Sequence, residues 1–536
     1  MGALTLKSFP FELRGWDIEK FESIDPTDSF GTQTRVYISK NQIVQIEPDY
    51  DAQTNNTWLS DKGRQFFDEI FETCEVNEKE FFLQTNSGSA LMNSLFKTLY
   101  IFDHCNRNNS KNYFFTIVFE NLSIEVLSLL ILIAKNYSFF KLRRAEQIKL
   151  ENDLEENFQL NSSSNKIRLN SSTLCLLLAT NPRYESYYLN LSLRQRMLKG
   201  NFKCFTIGSS INLTFSTSFL GSNISVVKTI AEGNNLNCQD LKNAKNPLLI
   251  SNAELYKRND GKNIIKILKT LKYCNIFSKT WNGLNILNPS LNETGIHMLS
   301  NFMPLSSKDL ISFSSLYLLN VDMNNITNIK KITQLKFLKF SANNETQIKK
   351  KSLFVDQSHR INNNLGFYNK TEFDNYFYLP NSMFYENNET FVNAQGSTKR
   401  TTKLIFRKKS KNGWQILRRM VKQLKEKLIQ INNKDNNHIF FNSKKIVDFK
   451  NYVSFHFNAT QNITSLNFYL VTKNKSCTLF SQNILNFRQK NLKLQNTKMQ
   501  YWLNDFFSGG KDNYSHNSLV MANCSKILRS ENTNFF

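Results

Sequence analysis

The sequence predicts an α/β protein, with a small β-rich unit at the N-terminus followed by two parallel-sheet layers in tandem. Three stretches carry this. RVYISKNQIVQIEP (35–48) alternates apolar and polar residues around a Lys-Asn pair, the pattern of an antiparallel hairpin. YFFTIVFENLSIEVLSLLILIAKN (113–136) reads as an apolar strand, a short polar turn and an apolar helix, one step of a buried parallel sheet. TLCLLLATNPRYESYYLNLSLRQRMLKGNFKCFTIG (173–208) reads as strand, turn, helix and strand, a complete βαβ unit.

Taken in order, the elements are a strand at 113–119, a helix at 124–135, a strand at 174–179, a helix from Pro182 to Leu198 and a strand at 204–207. A strand follows at 247–251, a helix from Gly261, and further strands at 315–323, 336–341 and 352–359. These group into a β-rich unit over 1–80, Rossmann-like domains over 81–245 and 246–405, and a basic helical region over 406–536. In the last region Ile416, Leu417, Met420, Val421, Leu424 and Leu428 recur at helical spacing, with Lys and Arg on the other face.

With 68 Lys+Arg against 44 Asp+Glu, the formal charge of +24 raises nucleic acid or an anionic surface as partners. The composition offers a plainer cause. Gly is only 17 and Pro 8 while Phe reaches 45, a usage skewed toward A+T-rich codons, which also favour Lys. The most apolar run, VLSLLILIA (126–134), is about half of the ~20 residues a membrane span needs. The eight cysteines are scattered with no CxxC pair, so neither a disulfide framework nor a zinc or iron–sulfur site can be read from them. Buried thiols in a reducing compartment are the expectation.

Chemistry-bearing motifs are sparse. There is no GxGxxG after a strand and no GxxxxGK[ST], and the six histidines form no HExxH. No catalytic or metal-ligating residue is expected. The one candidate binding feature is the strand-end turn with Thr180, Asn181 and Arg183, where an open α/β sheet receives a ligand before a helix N-terminus. Asn and Pro at that place also suit an ordinary capped turn, and the residues leave both readings open.

Beyond these patterns the chain resembles a known family. GALTLKSFPFELRGWDIEKFESIDPTDSFGTQTRV (2–36) and NTWLSDKGRQFFDE (56–69) look like the start of the molybdopterin-oxidoreductase-like half of the large iron–sulfur subunit (75 kDa, G-type) of mitochondrial NADH:ubiquinone oxidoreductase, respiratory complex I. The likeness continues in family order at LCLLLATNPRYES (174–186), ISNAELYKRNDG (250–261), WNGLNIL (281–287), YFYLPNSMFYENNETFVNAQG (376–396) and DNYSHNSLVMANCSKIL (512–528). In that family Gly-Ala-Leu-Thr follows Cys-Pro-Val, whose Cys is the last iron–sulfur ligand of the preceding half; here Met1 stands in place of Val.

The resemblance implies a molybdopterin oxidoreductase-like fold and a structural role in the peripheral arm of complex I, supporting electron transfer from NADH to ubiquinone. It implies no cofactor in this chain, and iron–sulfur clusters in a ferredoxin-like partner expected as a separate polypeptide. Other peripheral-arm subunits are the remaining partners, with no nucleic acid and no membrane span. The expected place is the matrix side of the inner mitochondrial membrane, with the chain encoded in the mitochondrion. The family's Glu-Gly-Arg after Asn is Gln395-Gly396-Ser397 here, and no molybdenum ligand stands out. An independent molybdopterin-dependent oxidoreductase and a basic organellar RNA-binding protein are the alternatives.

Overall fold

In the computed structural model, the expected N-terminal hairpin forms from β2 (Gln33–Ser39) and β3 (Gln42–Pro48), paired antiparallel, with β1 (Glu19–Ile24) on the other edge of β2. Lys40 and Asn41 at its tip have φ of 48° and 65°, the left-handed pair that matches the twist of two antiparallel strands. The structure describes residues 13–50, 57–68, 115–119, 121–136, 140–145, 169–208, 212–258, 260–273, most of 281–305, 315–321, 353–359, 375–406 and 411–422, with isolated positions between 494 and 527. Residues 1–419 and 494–536 form one compact unit and 420–493 a second, of which only 420–422 are described.

The three-stranded sheet buries Ile24, Val36, Ile38, Ile43 and Ile46 with Leu59, Phe66 and Phe67 around the short helix α1 (Asp61–Gln65). Ser60 caps that helix by accepting from the Gly63 N–H at 3.0 Å. The apolar face is closed from far along the chain by Met383, Phe384, Tyr385 and Phe391, with Phe66 stacked on Tyr385.

Two five-stranded parallel sheets make the body. The first has the order β10-β9-β6-β7-β8, from β6 (Leu174–Leu178), β7 (Lys203–Ile207), β8 (Ser218–Gly221), β9 (Leu248–Asn252) and β10 (Leu284–Leu287). All five residues of β6 are buried, as a run of leucines covered on both faces requires. The second has the order β13-β12-β11-β4-β5, from β4 (Phe115–Phe119), β5 (Phe140–Arg144), β11 (Ser315–Leu319), β12 (Leu353–Ser358) and β13 (Asn375–Pro380). A small ribbon, β14 (Thr390–Val392) and β15 (Thr398–Arg400), follows.

Sheet membership departs from the tandem grouping. A boundary between 245 and 246 runs through the first sheet, because β9 pairs with β6. The strands β4 and β5 belong with β11 to β13. The chain begins the second sheet, leaves to build all of the first, and returns. Each strand looks the same in sequence whichever sheet receives it, so local pattern could not separate them. The strand expected at 336–341 and most of the basic region over 406–536 lie outside the described residues.

The helix expected from Pro182 to Leu198 is two: α3 (Pro182–Glu185) and α4 (Tyr187–Leu198), broken at Ser186, whose backbone is extended at φ −158°. Further helices among the described residues are α2 (Ile124–Asn136), α5 (Ser225–Ala231), α6 (Cys238–Asn243), α7 (Gly261–Tyr273) and α8 (Glu293–Leu299), and residues 413–422 of the expected basic helix are helical as well. The landmark VNAQGS is the tight connection of the ribbon: Asn393 Oδ1 accepts from the N–H groups of Gln395 and Ser397, and Gly396 supplies φ 77°.

Candidate functional site

An open parallel sheet receives ligands beyond the carboxyl ends of its strands, where the direction of strand addition reverses. In the first sheet that point lies between β6 and β9. The turn with Thr180, Asn181 and Arg183 leaves β6 there, after Ala179 at φ 49°. Thr180 Oγ1 donates to Glu185 Oε2 at 2.7 Å and the Asn181 N–H to the same oxygen at 3.0 Å. The Asn252 side-chain amide, from the end of β9, donates to Glu185 Oε1. The chain's own carboxylate thus takes the donors that an anion would take at a helix start. Thr180 and Asn181 are brought together on Glu185, whereas Arg183 is exposed and reaches the Asn212 carbonyl at 3.4 Å.

A second element packs into the core of this sheet. Every residue from Ser23, in β1, to Thr32 is buried, which is unusual for the loop 25–32, since its backbone groups must find partners away from water. The loop supplies them itself. Asp25 Oδ1 accepts from the Thr27 N–H and hydroxyl at 2.9 and 2.7 Å, and Asp28 Oδ1 from the Phe30 N–H at 2.7 Å. Phe30 enters the core of the first sheet beside Cys175, Leu177, Leu189 and Leu287, with its ring 5.0 Å from that of Tyr188. Ser29 and Phe30 offer their carbonyls to Ala394 and Asn393. Burial, with the Asp25 carboxylate nearby, pushes the Asp28 carboxyl up to about 8, so it carries a proton at neutral pH.

In the second sheet the reversal lies between β4 and β11. Here a cavity of about 40 Å³ opens, lined by Asn121, Ser123, Asn320, His359, Asn381 and Glu389 among others. It has room for a few water molecules, taking roughly 10–15 Å³ for each. Burial, reinforced by the neighbouring Glu125 carboxylate, pushes Glu389 up to about 8. Glu125 is also raised, by burial, against the Thr390 N–H it accepts at 3.0 Å.

A buried charged group ties β5 to the helix that follows β10. Arg144, at the end of β5, pairs with Glu293 at the start of α8, and its Nη1 lies 3.4 Å from His297 Nε2; Arg144 and Glu293 are 3% and 1% exposed. Ser290 adds a hydroxyl to the Glu293 carboxylate at 3.3 Å. Neither this group nor Glu185 was read from the sequence. Glu185 carried a signal, a carboxylate within a turn of a helix start; the Arg144 group carried none, its members being about 150 residues apart.

The sequence model of the family described as molybdopterin oxidoreductase matches residues 100–423, more than half of the chain. The chain belongs to the molybdopterin oxidoreductase family. A second model, described as NADH-ubiquinone oxidoreductase NDSU1/NuoG-like, 4Fe-4S domain, matches residues 18–68, the three-stranded sheet and α1. The NADH-ubiquinone oxidoreductase 75 kDa subunit of Reclinomonas americana is 29% identical over 446 residues, 80% of this chain and 60% of that one. The mitochondrial NADH dehydrogenase [ubiquinone] iron-sulfur protein 1 of Solanum tuberosum is 27% identical over 60% of this chain and 43% of its own length. The NADH-ubiquinone oxidoreductase 78 kDa subunit of Neurospora crassa is 23% identical over 80% of this chain and 56% of its own. The chain therefore spans about two to three fifths of the curated relatives it matches.

The family name raises two cofactors, and the donor sets answer for each. Residues 18–68 contain no cysteine, the nearest being Cys74, so this segment lacks the thiolates that hold an iron–sulfur cluster. Among the described residues no three His, Cys, Asp or Glu side chains converge as a metal site. A molybdopterin does not fit the described crevices either. In the first, Glu185 already takes the donors at the helix start, and among the described residues no Lys or Arg lines the small cavity of the second. Cys175 and Cys204 are buried free thiols in the core of the first sheet, and Cys238 is half-buried; the other five cysteines lie outside the described residues.

Proposed function

We propose that this chain is a structural part of the peripheral arm of respiratory complex I, on the matrix side of the inner mitochondrial membrane. It packs on the part of the complex that carries the iron–sulfur clusters and supports electron transfer from NADH to ubiquinone without ligating a cluster. The observation that carries this reading is a match over most of the chain to subunits named for NADH-ubiquinone oxidoreductase, combined with a 4Fe-4S-like segment that has no cysteine. Enzyme membership is then as a subunit, with no catalytic residue contributed here.

The surface supports a packing role. Trp16 and Trp58, 78% and 65% exposed, stand on the N-terminal unit with Phe21 and Tyr50, and large exposed aromatics of this kind anchor protein interfaces. Among the described residues β1 is an edge strand whose first four residues are exposed, the sort of edge that a partner covers. The partner we infer is a ferredoxin-like, cluster-bearing polypeptide, with other peripheral-arm subunits around it. No helix among the described residues is long and apolar enough to cross a membrane.

Native electrophoresis of mitochondria tests the proposal. The chain is expected to co-migrate with NADH-oxidising activity and to stay there after nuclease treatment. Migration as a free monomer, or in a nuclease-sensitive particle, overturns it. Elemental analysis of the isolated chain is expected to find neither molybdenum, tungsten nor iron. About one metal atom per chain would revive an independent molybdopterin oxidoreductase.

A further inference from the structure

Two of the chain's eight cysteines, 29 positions apart in sequence, are brought face to face by the first sheet. Cys175 on β6 and Cys204 on β7 are direct partners in the parallel register of the two strands. Their side chains share a face as well as a register. Cys175, Leu177 and Cys204 belong to one apolar cluster with Leu189 and Leu193 of α4, while Leu176 and Phe205, the next residues along each strand, lie outside it.

Neighbouring strands run roughly 4.7–4.9 Å apart, within the ~4.4–6.8 Å between Cα atoms that a disulfide spans. Register and a common face are the two conditions such a bond needs, and both are met with the thiols free. We propose that Cys175 and Cys204 are a redox modification site, a dithiol that a hydroperoxide converts to a disulfide bridging β6 and β7. One sulfur attacks the peroxide O–O bond, becoming a sulfenic acid and releasing water. The second sulfur displaces the hydroxyl of that sulfenic acid as another water and closes the S–S bond. Two thiols and one peroxide thus give one disulfide and two waters, the sulfurs losing the two electrons that the peroxide oxygens gain.

In the closed sheet the pair is at rest. The cysteines are 0% and 2% exposed, and the Cys175 thiol is held well above its usual range, first by its hydrogen bond with Cys204 and then by burial. A protonated, shielded thiol does not react with solvent oxidants. Oxidation therefore waits on a local opening of the α4 side, and α4 starts at Ser186 without a side-chain cap. The closed bond then ties the Thr180 turn, α3 and α4 into one loop and restrains the opening that admitted the oxidant.

Peptide mapping tests the site. Purified full-length chain is treated with hydrogen peroxide, alkylated, digested and read by mass spectrometry, with half-buried Cys238 as the internal gauge of oxidation. A peptide pair joined through Cys175 and Cys204, lighter by two hydrogens than the reduced pair and split by dithiothreitol, is the expected product. Most oxidised Cys175 should be joined to Cys204 in the folded chain, a share that falls about threefold or more when oxidation is carried out in urea, where seven cysteines compete. Cys204→Ala removes the second sulfur, and Cys175 is then expected as sulfinic acid in place of the disulfide. Should that variant fail to fold, the wild-type map decides alone. Recovery of both thiols unmodified after Cys238 is fully oxidised overturns the proposal, as does wild-type Cys175 found mainly as sulfinic acid or joined to other cysteines.

Discussion

At the end of β6 the carboxylate of Glu185 gathers a hydroxyl, a backbone N–H and a side-chain amide from its own chain, while at the second reversal point the Glu389 carboxyl accepts from the Asn387 side-chain amide at 3.3 Å. The two sheets have the same five-stranded parallel build and the same kind of reversal point. They differ in what the chain returns to that point. The first receives an internal carboxylate, and the second receives a cluster of asparagines with a neutral carboxyl. A shared sheet topology therefore fixes where a crevice falls and leaves its chemistry to the following residues.

The pair of Arg144 on β5 with Glu293 on the helix after β10 offers the most severe way to break the comparison. Glu293→Ala strands the Arg144 guanidinium in a buried setting, and a loss of about 3–5 kcal/mol is expected in urea denaturation. Both sheets should loosen together in hydrogen exchange. Protection lost in only one would show that the pair is not their common tie.

Opening the first crevice should cost less. Glu185→Ala leaves three donors without their carboxylate, for about 3 kcal/mol at roughly 1 kcal/mol each, read from the denaturation midpoint. If that turn were instead a vacant anion site, the same variant would be near neutral.

The buried loop can be tested by pH. Asp28 has a folded pKa of about 8 against an ordinary value near 3.8, so between those values the folded chain holds a proton that the unfolded chain has released. Stability from this group is therefore full at acid pH and is lost as pH rises toward 8, with a slope of at most about 1.4 kcal/mol per pH unit. Asp28→Asn keeps an Oδ1 for the Phe30 N–H and is expected to flatten that fall. An unchanged pH profile would place the titrating group elsewhere.

The smallest effect is expected at Arg183. It is exposed and its one hydrogen bond, to Asn212, is long, so Arg183→Ala should change stability by less than about 0.5 kcal/mol. A larger loss would mean that the turn depends on its cation.

Much of the secondary structure was legible locally. The hairpin tip at Lys40 and Asn41, the leucine run of β6 and the start of α7 at Gly261 each carry their own signal in turn chemistry or periodicity. The α3–α4 break was less legible, because YESYYLNL reads as continuous helix until Glu185 is drawn back to Thr180 and Asn181. The resemblance to complex I subunits was likewise carried by the order of short landmarks along the chain, which needs no structure to be read.

By itself the sequence determined the α/β class, the N-terminal hairpin, the lack of cysteine in 18–68 and the position of the Thr180 turn, all properties of neighbouring residues. Tertiary structure alone decided which strands share a sheet, that Ser23–Thr32 is buried, and that Arg144 meets Glu293. It also decided that Glu185 gathers donors at one reversal point and that asparagines surround a neutral carboxyl at the other. The reason is physical. Propensity and periodicity act over a few residues, whereas parallel pairing, charge burial and the meeting of donors with acceptors depend on groups that approach only after the chain has closed over a hundred residues or more.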